Sequence, residues 1–113
     1  MSGPVDREEE EGETDMEIDV KKEGDGLIIK LEGRLDANEA TKLNAVIEEQ
    51  TRDVNSLTLD LEKLDYIASA GLRVLLAAHK KMRNAGGMKL VHVGSNVMEV
   101  FEITGFLEIL EVE

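Results

Sequence analysis

Short apolar segments of strand type take turns along this chain with longer segments of helical period, and 113 residues leave room for one modest domain. Met16–Lys22 sets Met16, Ile18 and Val20 on alternate positions, the period of a half-buried strand. Gly24-Asp25-Gly26 then reads as a turn and Leu27–Leu31 as a second strand, so a hairpin is predicted. Asp36 with Glu39 three residues on has capping-box spacing, and a helix is expected to about Glu49 with Ala40, Leu43 and Ile47 on one face. Ser56–Leu61 alternates again through Leu57, Leu59 and Leu61, and Tyr66-Ile67 is a further short apolar piece. Ser69 stands at the cap of a second helix, expected from Ala70 to about Asn84 and stopped by Gly86-Gly87. Its apolar positions include Leu72, Leu75, Leu76 and Met82. Met88–Val93 reads as a buried strand, Ser95 as the cap of a third helix over 96–104 ended by Gly105, and Phe106–Val112 as the last strand.

The order is β-β-α-β-α-β-α-β. A strand, a helix of about four turns and another strand imply parallel pairing with a right-handed crossover. The opening hairpin adds an antiparallel pair. The predicted fold is therefore α/β: a single-layer mixed β-sheet of about five strands with helices packed mainly on one face. The apolar share is 42%, enough for a core, but Tyr66, Phe101 and Phe106 are the only aromatics, so that core must be aliphatic.

Charge narrows the function. The net charge is −12, which repels phosphate backbones and anionic lipid, so neither nucleic acid nor a membrane surface is an expected partner. Residues 1–15 carry seven acids against Arg7 and almost no apolar side chains, so they are expected to be a disordered acidic tail preceding the domain at 16–113. There is no cysteine, which removes disulfides, thiolate metal sites and a cysteine nucleophile. No run approaches the roughly 18 apolar residues of a membrane helix, and the first residues lack the basic and apolar regions of a secretory signal. A cytoplasmic location is the expectation.

Three local patterns resemble the STAS domain, which is shared by sulfate transporters and anti-sigma factor antagonists. Gly33-Arg34-Leu35-Asp36 is similar to that family's Gly-x-Leu-Asp entry to its first helix. Leu59-Asp60-Leu61 and the following Tyr66-Ile67 match its third strand. Ser69-Ala70-Gly71-Leu72 resembles its Ser-Ser/Ala-Gly-Leu signature, the most specific of the three. The likeness spans roughly Met16 to Glu113.

The resemblance implies an anti-sigma factor antagonist working by partner switching. In that family, an anti-sigma factor that is also a serine kinase phosphorylates the matching serine. The unphosphorylated antagonist binds that kinase and frees the sigma factor, and a metal-dependent serine phosphatase resets the switch. Ser69 matches the phosphoacceptor by position. Asp36, Ala68, Ser69, Ala70, Gly71 and Arg73 are the expected partner-binding residues. One departure stands out: the family often has Asp immediately before the serine, and here the residue is Ala68. A lost carboxylate there bears on how a kinase engages the acceptor, and leaves the fold untouched.

Physical chemistry makes such a switch workable without refolding. Helix-initial amides lack intrahelical partners and, with the macrodipole, favour an anion. Phosphorylation adds about −1.5 to −2 charges at that spot. Ala70 and Gly71 keep the helix end small enough for close approach.

Plainer accounts exist for the same residues. Serine before a helix is most often a cap worth on the order of 1 kcal/mol, and capping alone suffices for Asp36. Arg73, Lys80 and Lys81 read as a solvated face with favourable dipole contacts, Arg73 being the best placed for a partner. His79 and His92 lack metal-ligand spacing with a nearby acid, and His79 fits an edge-of-core position. Gly24-Asp25-Gly26 and Gly86-Gly87 lack a phosphate-loop pattern. No catalytic residue, cofactor or metal ligand is expected. The alternatives are a STAS-like scaffold of a lipid-transport or stress-signalling complex that is never phosphorylated, and a small nucleotide-binding α/β protein.

Overall fold

A computed structural model of the chain describes residues 16–113. The predicted tail at 1–15 lies outside the described residues. The hairpin forms as expected: β1 (Met16–Glu23) pairs antiparallel with β2 (Gly26–Leu35), from Met16 opposite Gly33 to Glu23 opposite Gly26. Gly24 turns the chain at φ 59°, a conformation glycine reaches without a Cβ penalty. Strand β2 runs on to Leu35, four residues beyond the expected end, because the lead-in to the first helix is itself extended.

Strand β3 (Ser56–Ile67) is one continuous strand, not a strand followed by a separate short piece. It runs parallel to β2, and the register slips between Lys30/Glu32 and again between Gly33/Arg34. Each slip inserts one extra β3 residue. Leu57, Leu59 and Leu61 are buried at spacing two, then Leu64 and Ile67 at spacing three. The bulges break the period without ending the strand.

Helix α1 (Ala37–Gln50) follows β2, capped by Asp36, whose Oδ1 accepts the Glu39 N–H at 3.0 Å. It buries Ala40, Leu43 and Ile47 as predicted. Helix α2 (Ser69–Met82) follows β3 and buries Leu72, Leu75, Ala78 and Met82. It ends at Met82, two residues short of the predicted end at Asn84, with Arg83 as its C-cap. Strand β4 (Met88–Val91) pairs parallel with Leu57–Asp60. It stops two residues short of the expected Val93, where His92 turns at φ 57°.

Helix α3 (Ser95–Thr104) has Gly94 as its N-cap, so Ser95 is its first residue and not its cap. Gly105 ends it in the left-handed region at φ 82°, as expected. The predicted strand Phe106–Val112 is corrected: Phe106–Glu108 is a 3₁₀ turn, and β5 is only Glu111–Val112, parallel to β4. Phe106, Leu107 and Leu110 have the spacing of a helical turn, and Leu110 reaches the core.

The sheet order is β1-β2-β3-β4-β5, the chain order itself. Right-handed crossovers that always advance in one direction put every helix on the same face. The core lies there: Ile29, Leu59, Leu61 and Leu90 of the sheet are fully enclosed with Leu43, Leu75, Val97 and Phe101 of the helices. The other face carries Lys30, Thr58, Asp60 and Lys89. The mixed, one-sided α/β architecture is thus the predicted one. Among the described residues, no helix is long and apolar enough to cross a membrane.

Candidate functional site

The ends of β2 and β3 lie side by side, Leu35 opposite Ile67. The Ala68 N–H donates to the Leu35 carbonyl at 2.9 Å, so the starts of α1 and α2 emerge next to each other. This junction gathers the predicted residues Asp36, Ala68, Ser69, Ala70 and Gly71, with Arg73 one turn along α2.

The serine's position differs by one residue from the sequence reading. Ala68 is the N-cap of α2, with φ −92° and ψ 171°, and Ser69 is the first helical residue. The earliest intrahelical bond runs from the Leu72 N–H to the Ala68 carbonyl at 3.0 Å. An alanine cap has no side-chain oxygen to offer, and α2 has no side-chain cap bond, in contrast to α1. Helix-initial amides are therefore left open beside an exposed Ser69.

Gly71 explains how the serine is held at the surface. A Cβ there would lie 2.7 Å from Leu35 Cγ and 3.0 Å from Ile67 Cγ1, closer than packed atoms allow. Without one, α2 seats directly on the ends of β2 and β3. Leu72 is buried beside it. The Ser-Ala-Gly-Leu pattern thus divides its work: two residues anchor the helix and the first faces solvent.

A shallow groove of about 260 Å³ runs between the first turns of α1 and α2. Ala37, Ala40, Thr41 and Asn44 line one side, and Ala70, Arg73 and Val74 the other. Arg73 is exposed and forms no ion pair or hydrogen bond among the described residues. Farther along α2, Lys81 bridges to Glu48 of α1 at 3.3 Å. Glu39, the capping-box residue, is only 3% exposed, and its carboxylate meets the Lys42 ammonium at 3.5 Å.

Two pairings had no local sequence signal. Arg34 stacks over the Tyr66 ring at 4.2 Å from its centroid, joining β2 and β3 just below the caps. His92 Nδ1 lies 3.1 Å from Asp60 Oδ1, and Glu62 joins them with ligand-type atoms within 4.8 Å of one another. Neither histidine has metal-ligand spacing with a nearby acid along the chain, but for His92 the sheet register supplies in space what the spacing lacks, bringing together residues 32 apart. A histidine–aspartate hydrogen bond at an exposed strand end accounts for this geometry. His79 is half-buried as expected, with Nδ1 enclosed and unpartnered. A larger cleft of about 390 Å³ on the uncovered sheet face is lined by Asp19, Lys30, Glu32 and Lys63 among others. Its mixed charges are those of a solvated surface.

The model of the STAS domain matches residues 17–113. The chain belongs to the STAS domain family. BtrV of Bordetella bronchiseptica, provisionally named an anti-sigma factor antagonist, is 42% identical over 91 residues, 78% of each chain. Among solved structures, an anti-sigma factor antagonist from Mycobacterium paratuberculosis superimposes with a TM-score of 0.79 at 21% identity, covering 86% of this chain and 84% of that one. SpoIIAA of Bacillus in its unphosphorylated form gives 0.74 at 19% identity, covering 86% and 88%. Its phosphorylated form gives 0.68 at 18%, covering 86% and 91%. At these identities the structural likeness speaks for the fold: this STAS domain has the mixed five-stranded architecture of the anti-sigma factor antagonists.

Proposed function

We propose that this STAS domain is an anti-sigma factor antagonist in the cytoplasm whose binding to an anti-sigma factor serine kinase is switched by phosphorylation of Ser69. The observation that carries the reading is an exposed serine opening a helix with unoccupied amides, within the Ser-Ala-Gly-Leu signature. The 42% identical relative named for the same role supports it. So does the existence of SpoIIAA, a neighbour of the same fold, in unphosphorylated and phosphorylated forms.

In the unphosphorylated state the partner docks over Asp36, Ala68, Ser69, Ala70 and Arg73, while Gly71, expected from the sequence to take part, is buried and acts by seating the helix that presents them; the sigma factor is then released. Transfer then forms a bond between Ser69 Oγ and the γ-phosphorus of ATP. The bridging bond to the β-phosphate breaks, ADP leaves, and the hydroxyl proton passes to a base of the kinase. The product dianion meets the open amides of α2 without unfolding the helix. It repels an acidic or apolar partner surface. Hydrolysis by a serine phosphatase restores the hydroxyl.

Incubation of the full chain with its kinase and ATP adds one phosphate, absent in Ser69→Ala. Calorimetry shows Ser69→Ala binding the kinase like the wild type and Ser69→Asp binding more weakly. Equal affinity for the two variants, with no phosphate on the wild type, overturns the proposal in favour of an unphosphorylated scaffold.

A further inference from the structure

Ser69 and Arg73 stand four residues apart on α2, so their side chains share one helix face. Side chains on a helix lean toward its N-terminus, which puts position 69 within reach of the Arg73 guanidinium. Both residues are exposed, and Arg73 has no competing partner among the described residues. Of the other cations on the neighbouring elements, Arg34 is held over the Tyr66 ring and Lys42 pairs with Glu39. Asp36 before α1, Glu39 in its first turn and Asp65 toward the end of β3 are acids of those elements. A dianion at Ser69 adds to their negative charge, which adds to the need for a cation beside it.

We infer that Arg73 clamps phosphoserine 69, and that phosphorylation thereby withdraws the only charged side chain that lines the α1–α2 groove among the described residues from a partner that uses it. The inference rests on the proposed phosphorylation of Ser69. It makes the switch two-handed. The dianion repels, and it also captures the cation that an acidic side chain of the kinase engages in the groove. Capture wins because the phosphate competes from within the same helix, at high effective concentration. A guanidinium also meets two phosphate oxygens at once, a geometry that an ammonium does not match. The groove walls that remain are Ala37, Ala40, Ala70, Val74 and the neutral Thr41 and Asn44, which offer an acidic side chain no countercharge.

Biosynthetic incorporation of phosphoserine at position 69 of the full chain tests the clamp without any kinase. A ³¹P titration gives a second phosphate pKa lower in the wild type than in Arg73→Ala by about 0.3 unit or more. Arg73→Lys falls between them, and added salt shrinks the difference. The Arg73 side-chain Nε–H resonance moves on phosphorylation. Circular dichroism identical among the variants establishes that the fold is intact. Superimposable ³¹P curves for the wild type and Arg73→Ala overturn the clamp. With the kinase, Arg73→Ala weakens binding of the unphosphorylated chain about two- to fivefold and reduces the loss on phosphorylation by the same factor. An unchanged ratio overturns the capture of the partner's cation. A shifted ³¹P curve in a chain that its kinase never phosphorylates supports the clamp and removes the proposed function, so the two failures are distinct.

Discussion

A methyl group at position 71 would collide with Leu35 and Ile67, and neither can retreat, since both are core residues less than 4% exposed. Gly71→Ala is therefore expected to lose about 1–3 kcal/mol by overpacking, read as a lower urea midpoint at unchanged slope. The lifted helix should also weaken partner binding, although position 71 is buried. Ser69 is the opposite case. As the first helical residue it caps nothing, so Ser69→Ala should leave stability within about 0.5 kcal/mol of wild type. A loss near 1 kcal/mol would mean that the hydroxyl caps the helix after all. The two substitutions separate a residue kept for packing from one kept for chemistry, two positions apart in the same motif.

Helices α1 and α2 start side by side with different caps, and that difference is measurable. Asp36→Ala removes the acceptor of the Glu39 N–H and should cost about 1 kcal/mol. Ala68→Asp supplies α2 with the cap it lacks and should raise the melting temperature, for about 0.5–1 kcal/mol of added stability. A lowered melting temperature for Ala68→Asp would refute the open-amide description of α2. Legibility in the sequence also follows the locality of each signal. Helix α1 was readable almost to the residue, because its cap, box partner and apolar face lie within one short window. A break is expected in β3 where there is none, because bulges change the spacing of Leu61, Leu64 and Ile67 while hydrogen bonding to β2 continues. The last strand was misread because the five residues from Phe106 to Leu110 before β5 fold as a 3₁₀ turn and loop that only the core's need for Leu110 explains. At the site, the Ser-Ala-Gly-Leu pattern was visible, but the register that sets Arg34 on Tyr66 and His92 on Asp60 was not.

Across the whole molecule the sheet is strongest at its middle. Strands β2 and β3 pair along nearly their full length, and Ile29 and Leu59 are fully enclosed. At one edge, β5 is two residues long, tied by Lys89 to Glu111, Leu90 to Val112, and the Glu113 N–H to the Leu90 carbonyl at 2.9 Å. Native-state hydrogen exchange should accordingly show Ile29 and Leu59 amides opening only with global unfolding, and those of Val112 and Glu113 opening locally and much faster. Leu59→Ala should cost about 2–5 kcal/mol and lower protection in every element together, because a single core joins them. The ends of β2 and β3 that carry Asp36 and Ser69 belong to this protected middle. A phosphate at Ser69 therefore falls on a rigid support. Exchange in the phosphorylated chain should match the unphosphorylated one everywhere except the first turn of α2 and the facing turn of α1. Loss of protection spreading into β2 or β3 would mean that the modification works by loosening the fold, and the surface-charge account of the switch would then fail.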